Sequence, residues 1–267
     1  MLVSIIIPSF NARSTIQDCI ESALRQTLPD REIIVVDGGS TDGTMDVVRG
    51  FAPGLVAWSS EPDNGIYDAA NKGVRRARGD WVYFLGADDV FSDDTVLERM
   101  ADLLQGTPEN IRVIYGRVAM LGGPWPETRK RLVSYMSLPH QGIFHRRTLF
   151  REHGEFDPSY RVGGDYEFLL RELNNRDAIF AGDVTVAACR TGGRSGRASG
   201  HIRLLREWRR AQRAHGLRIP TIRWSIALWG AFLQAFLYIA LGQKNGARLF
   251  DFVRGIFGRP PYWSRIR

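Results

Sequence analysis

Two adjacent carboxylates, Asp88 and Asp89, follow directly on a short apolar strand, and that junction constrains the chain more than any other feature. The stretch from Glu61 to Asp89, EPDNGIYDAANKGVRRARGDWVYFLGADD, reads as turn, helix, turn, strand and acids. The helix is expected over Ile66 to Ala77, opened by Asn64-Gly65 and closed by Gly79. The strand, apolar and aromatic, is expected over Trp81 to Leu85. Ligands of open α/β sheets bind beyond the carboxyl ends of the strands. Two acids at such an end, with no basic neighbour in sequence, repel unless a cation lies between them. A hard divalent cation bridging a diphosphate meets that need. The other reading is a turn with a helix cap, since Ser92 and Asp93 resemble an N-cap for the next helix.

The chain before this junction alternates strand and helix. Val3 to Ile7 is a continuous β-branched run, the mark of a strand covered on both faces, and Pro8 is expected to end it. Ser14-x-x-Gln17 matches a capping box, followed by Ile16, Ile20, Ala23 and Leu24 at helical spacing. Further strands are expected at Ile33 to Val36 and Leu55 to Trp58. This order implies an α/β fold with a mostly parallel sheet and helices on both faces. It is not a dinucleotide-binding fold of the usual kind. Pro-Ser-Phe-Asn-Ala-Arg follows the first strand where G-x-G-x-x-G would stand, and no Walker A sequence occurs. The glycine-rich loop comes after the second strand and is led by an acid, Asp37-Gly38-Gly39-Ser40-Thr41-Asp42-Gly43-Thr44. An acid there suits a base N–H or a ribose hydroxyl. Gly for positive φ in a tight turn accounts for the loop but not for Asp37.

The segments IIIPSFN, VDGGSTDGT, DNGIYDAANKG, FLGADD and GGDYEFLLR occur in an order and spacing that resembles family 2 glycosyltransferases. These are inverting enzymes of the GT-A fold that use nucleotide-diphosphate sugars. The resemblance covers roughly residues 1–195 and is nearest to bacterial enzymes of exopolysaccharide and lipopolysaccharide assembly. It implies that Pro8, Ser9 and Phe10 wall the base pocket and that Asp37 binds the base. It places Asp63, Asn71 and Lys72 near the nucleotide and its phosphates. Asp88, with Asp89 beside it, takes the metal-binding place of the Asp-x-Asp signature, for Mg²⁺ or Mn²⁺; Gly86 stands where many relatives have the first acid. His140 and Gln141 would border the acceptor, although a packed strand-end histidine fits His140 equally. Asp165 matches the family's catalytic base, and as a helix-opening residue it also reads as an N-cap. Glu167 is the alternative base. Arg194, in the Gly/Ser-rich run CRTGGRSGRASG, would contact the diphosphate from a lid, or belong to a linker.

Charge divides the chain. Of 36 Lys+Arg and 29 Asp+Glu, 16 basic and two acidic residues lie from Arg190 onward, which leaves about −7 in residues 1–189 and about +14 in the rest. A transferase domain over 1–198 and a helical tail over 199–267 are therefore expected. In the tail, Ile202, Leu205 and Trp208 oppose Arg203, Arg206, Arg209, Arg210 and Arg213, as in a basic amphipathic helix for an anionic membrane surface. Trp224 to Gly242 is apolar apart from Gln234 and about 28 Å long as a helix. Basic residues flank it on both sides, which favours a re-entrant or in-plane helix, with a kink at Gly230, over a single span. A buried dimerisation helix is the soluble alternative. The apolar start of the chain lacks a basic region before it, so no signal peptide is expected. Cys19 and Cys189 read as reduced core residues.

Together these readings predict a membrane-associated inverting glycosyltransferase on the cytoplasmic face of the inner membrane. Its donor would be a nucleotide-diphosphate sugar and its acceptor a hydroxyl of a lipid-linked or growing saccharide. Transfer onto polyprenyl phosphate and a non-catalytic nucleotide-binding scaffold are the alternatives. Nucleic acid is not expected as a partner, given the tail's hydrophobicity and the acidic main domain.

Overall fold

The structure is a computed structural model, and it describes residues 1–120, 123–124, 136, 138–173, 178–190, 198–256, 258 and 264. The chain opens with β1 (Val3–Ser9), α1 (Ile16–Leu24), β2 (Arg31–Asp37), α2 (Thr44–Gly50), β3 (Ala57–Ser60), α3 (Ile66–Arg76), β4 (Trp81–Phe84), β5 (Asp89–Phe91) and α4 (Val96–Gly106). It continues with β6 (Val113–Met120), β7 (Gly123–Pro124), a short 3₁₀ turn (His140–Gly142), β8 (Ile143–Arg146), α5 (Thr148–Glu152), α6 (Gly164–Glu172), β9 (Ile179–Cys189), α7 (Ala198–Ala214) and α8 (Ile222–Ile256). Among the described residues one sheet runs in the order β3-β2-β1-β4-β8-β6-β9-β5, with β7 on β6. Its first half, β3-β2-β1-β4, is parallel; β8 then joins β4 antiparallel.

The period of two along each central strand divides the core into two layers. Ile5 and Ile7 of β1, Ile33 and Val35 of β2, and Trp81 and Tyr83 of β4 face one side, under α1 and α4. Ile6, Ile34, Val36, Val82 and Phe84 face the other, under α3, α5 and α6. Burial on both faces is what the unbroken apolar runs required.

The structure moves several boundaries. Pro8 does not end β1: it pairs in register with Val36, and the strand runs to Ser9. Ile6 points its carbonyl at β4, where it accepts from Leu85, and Ser9 points its carbonyl at the β2 side, where it accepts from Gly38. By that alternation the missing N–H of Pro8 faces the β4 side, beyond the point where β4 has ended, so no ladder bond is lost. The capping box at Ser14 does not form. Thr15 is the N-cap, its hydroxyl donates to the Ala12 carbonyl, and Gln17 donates to Glu21 instead. β3 begins two residues later than its apolar run suggested.

The largest revision concerns α7. Its apolar face is not free for a membrane. Leu205 and Ala211 are buried, and Trp208 packs on Tyr166 of α6 with ring centroids 5.3 Å apart. Glu207 accepts from the backbone N–H groups of Arg161, Val162 and Gly163, the loop that leads into α6. Arg209 donates to the Leu217 and Arg218 carbonyls, closing the turn to α8, and Arg210 lies over the Tyr160 ring. Arg203, Arg206 and Arg213 remain exposed.

Candidate active site

The parallel half of the sheet brings its carboxyl ends to one edge, and register sets Ser9, Asp37 and Ser60 abreast. Asp37 is fully buried. Its carboxylate accepts from the hydroxyls of Ser9 (3.0 Å) and Ser60 (2.6 Å), from the Ser40 hydroxyl, and from the N–H groups of Gly39 and Ser40. Burial alone would raise its pKa; those donors outweigh burial and hold it below the ordinary carboxylate range. As it stands Asp37 shapes the glycine loop, and contact with a base through it requires one of these bonds to be exchanged. Asn11, Ala12 and Arg13 stitch the loop after β1 to the same loop through Ser40, Thr41, Thr44 and Asp42. Of the three expected pocket walls, Pro8 and Ser9 are buried in the strand, and Phe10 is half exposed at its end.

The turn into α3 lies beside this loop. Asp63 accepts from the Gly65 N–H at 2.7 Å, and its other oxygen overhangs Gly38. Lys72 pairs with Glu61 at 3.1 Å and with Asp68 at 3.8 Å, and donates to the Pro62 carbonyl, so it braces this turn. Asn71, expected near the nucleotide and its phosphates, here holds the chain internally. It is buried, its amide donates to the Phe156 carbonyl, and its carbonyl accepts from the Phe156 N–H. Both polar ends are used to clamp the segment before α6.

Beyond β4 the chain turns at Gly86, and both acids lean over it. A Cβ on Gly86 would stand 2.7 Å from an oxygen of Asp89 and 3.1 Å from one of Asp88. A side chain at this position would have to displace one of the two carboxylates as they stand. Asp89 is buried, accepts from the Arg190 N–H at 3.3 Å, and has its pKa pushed up to about 7, chiefly by burial and then by Asp88. The Arg190 guanidinium is engaged by Asp18. Among the described residues no group of three or more His, Cys, Asp or Glu could hold a metal. A pair of converging carboxylates fits a cation that takes its remaining ligands from phosphate oxygens and water, as Mg²⁺ commonly does.

Asp165 is not the N-cap of α6; Gly163 is, without a side-chain cap bond. Asp165 sits in the first turn, largely covered. One oxygen accepts from the Tyr67 hydroxyl at 3.2 Å, and the other lies 3.9 Å from Nδ1 of His140, beyond hydrogen-bond range. The Tyr67 oxygen in turn accepts from the N–H groups of Gly164 and Asp165. Burial lowers the His140 pKa and Asp165 opposes that shift. Gln141 offers its backbone: its carbonyl accepts from the Tyr83 hydroxyl at 2.6 Å. Glu167, the alternative base, pairs with Arg171 and His215. Arg194 lies outside the described residues. Tyr67 and Glu207 were overlooked in the sequence. The first was visible inside DNGIYDAANKG, and the second as a lone acid in a basic helix.

A parallel sheet edge with a base-side loop, a carboxylate pair and a covered acid at a helix start is the layout of a nucleotide-sugar transferase. Residues 4–163 match the family model described as Glycosyl transferase family 2, and the chain belongs to that family. It is 39% identical over 183 residues to a "PGL/p-HBAD biosynthesis glycosyltransferase" of Mycobacterium bovis, covering 65% of this chain and 70% of that one. Solved structures share the fold at low identity. S. aureus TarS in complex with UDP-GlcNAc superposes with a TM-score of 0.62 at 16% identity, covering 99% of this chain and 90% of that one. A mannosyltransferase from Pyrobaculum calidifontis in complex with GDP-Man and Mn²⁺ gives 0.61 at 20% identity, covering 98% and 82%. The chain is a glycosyltransferase of GT-A fold.

Proposed function

We propose that this transferase inverts the anomeric centre in a single displacement, with Asp165 as the base. The acceptor hydroxyl oxygen attacks C1 of the donor sugar while its proton passes to the Asp165 carboxylate. The C1–oxygen bond to the diphosphate breaks, and the electron pair leaves with the nucleoside diphosphate. The observation that carries this reading is the placement of Asp165: a mostly covered carboxylate, held at one oxygen by Tyr67, with the other oxygen directed toward His140 and not hydrogen-bonded to it. Neutral His140, stacked near Phe84, lines the acceptor side. Asp88 and Asp89 would hold a divalent cation, which when bound neutralises the departing diphosphate. The Pyrobaculum mannosyltransferase in complex with GDP-Man and Mn²⁺ supports that role. Phe10 offers an exposed face at the base end.

The acceptor in this proposal is a hydroxyl of a lipid-linked or growing saccharide, met at the cytoplasmic face of the inner membrane. The apolar α8 supports a membrane setting: Trp224–Ile256 is long and apolar enough to cross a bilayer by length and composition. Asp165→Asn tests the chemistry. Nucleoside diphosphate affinity should remain within about twofold while turnover falls by about 10³, in the range of a lost general base. Near-normal turnover would remove Asp165 from the role.

A further inference from the structure

The helix Ile222–Ile256 is two arms, not one rod. Gly242 has φ 74° and ψ 160°, outside the helical region and open only to glycine at low cost. Residues nine apart on a straight helix are about 13 Å apart along the axis. Here a Cβ on Gly246 would lie 2.6 Å from the Leu237 carbonyl and 2.9 Å from the Tyr238 ring. The second arm therefore folds back on the first, and the reversal is at Gly242, not at Gly230.

The hairpin has two distinct sides. Ala231 and Gln234 on the first arm, and Ala247, Phe250 and Asp251 on the second, are buried. Trp224 donates its indole N–H to the Leu205 carbonyl, and Gln234 bonds to His201, so the inner side lies along α7. The outer side of the first arm carries Ile222, Ile226, Trp229, Phe236 and Ile239 at helical spacing, the last three 76%, 64% and 86% exposed. Leu249, Phe252 and Ile256 extend the same pattern on the second arm.

We propose that the hairpin is an in-plane membrane anchor: both arms lie along an anionic leaflet with this stripe buried among the lipids, and neither arm crosses the bilayer. The inference deepens the membrane setting above and is independent of the transfer chemistry. The first arm, roughly 30 Å long, has the length to span. Its inner side, however, is held by α7, and crossing would carry the exposed Arg203, Arg206 and Arg213 into hydrocarbon. The hairpin tip, Gln243-Lys244-Asn245, is polar and exposed, which is wrong for leading an insertion. The apolar residues run along the first arm instead of gathering at the tip.

Charge selects lipid over a second copy of the chain. The two acids that follow Arg190 are both turned inward: Glu207 holds the α6 loop, and Asp251 accepts from Arg254 and Ser264. Arg218, Lys244 and Arg248, which flank the first arm in sequence, are exposed. Apposed copies would set like charges together, whereas anionic headgroups complement them.

Flotation of the full chain with phosphatidylcholine vesicles, with and without phosphatidylglycerol, tests this. Binding should be at least tenfold stronger with phosphatidylglycerol. The double variant Phe236→Ser/Phe252→Ser should lose at least tenfold in vesicle binding and keep its nucleoside diphosphate affinity, which shows that it is folded. A Lys244→Cys variant bound to vesicles should react with a membrane-impermeant thiol reagent added outside, since Cys19 and Cys189 are buried. Protection of that thiol would mean a span and overturn the proposal. So would absence of vesicle binding alongside a concentration-dependent dimer, which would assign the stripe to a second copy.

Discussion

Glu207 lies in the tail by sequence, yet its carboxylate organises the entry to the helix that carries Asp165. It accepts from the N–H groups of Arg161, Val162 and Gly163 at 2.8 to 3.1 Å. Glu207→Ala removes all of these acceptors. Arg161 is exposed, so water replaces its bond at little cost. The Val162 and Gly163 donors are partly covered, with Gly163 against the Trp208 ring. At on the order of 1–3 kcal/mol for each buried donor left unpaired, a loss of about 3 kcal/mol is expected. Urea denaturation reads this as a lower midpoint at unchanged slope. Glu207→Gln keeps one oxygen acceptor without the charge and should lose about 1 kcal/mol. Because Gly163 is the N-cap of α6 and Asp165 follows two residues later, turnover of the alanine variant should also fall several-fold with little change in donor KM. A stability loss below about 1 kcal/mol together with unaltered kcat would refute the claim that this carboxylate holds the α6 entrance.

Tyr67→Phe removes the hydroxyl that Asp165 accepts from, so the carboxylate loses the contact that orients it. Turnover should fall about tenfold with donor KM little changed; an unaltered kcat would mean that Tyr67 does not position the base. Asn71→Ala leaves the buried N–H and C=O of Phe156 unpaired and should cost about 3 kcal/mol, measured by urea denaturation. A selective loss of nucleotide affinity at unchanged stability would show that Asn71 serves the nucleotide and not the clamp. Asp89 gives a pH dependence of definite sign. Its folded pKa, raised to about 7, means that the ionised form is disfavoured on folding, so stability is lost as pH rises from about 4 through 7. About three pKa units correspond to at most about 4 kcal/mol. In EDTA, Asp89→Asn should flatten the fall in Tm between pH 5 and 8, and an unchanged slope would show that Asp89 does not cause it.

The central sheet was legible because burial on both faces writes itself as unbroken β-branched runs, and the reading from Val3 to Phe84 needed only shifts of a residue or two at element ends. Pro8 misled because the rule against proline in a strand applies only where a neighbouring strand needs the N–H, and β4 has ended by then. The clamp made by Asn71 was not legible for a related reason: its residue type gives the hydrogen bonds it can make, whereas its partner Phe156 lies 85 residues away and is invisible in the local pattern. Asp165 was singled out through its motif, but the groups around it, Tyr67 and His140, come from two other segments that the fold brings together.

The amphipathic pattern of α7 shows the limit of reading a face without its partner. Leu205, Trp208 and Ala211 form the apolar stripe that a membrane helix would also show, and periodicity does not distinguish lipid from a protein core. The distinction lies in Glu207. An acid in the middle of such a stripe would be costly against an anionic surface, but it is required where three backbone N–H groups need an acceptor. By the same logic the outward stripe of α8, from Ile222 to Ile256, carries no acid, and its inward side carries Asp251 and Gln234 with partners in hand. α7 is thus a rigid layer between two surfaces, joined to the Asp165 helix through Glu207 and to the hairpin through Trp224. With the hairpin on a leaflet, the height of Asp165 above the lipid is set by packed helices and not by a linker. A lipid-linked acceptor then has to present its hydroxyl at one fixed distance, so acceptors that differ in the length between lipid and hydroxyl should differ in kcat/KM.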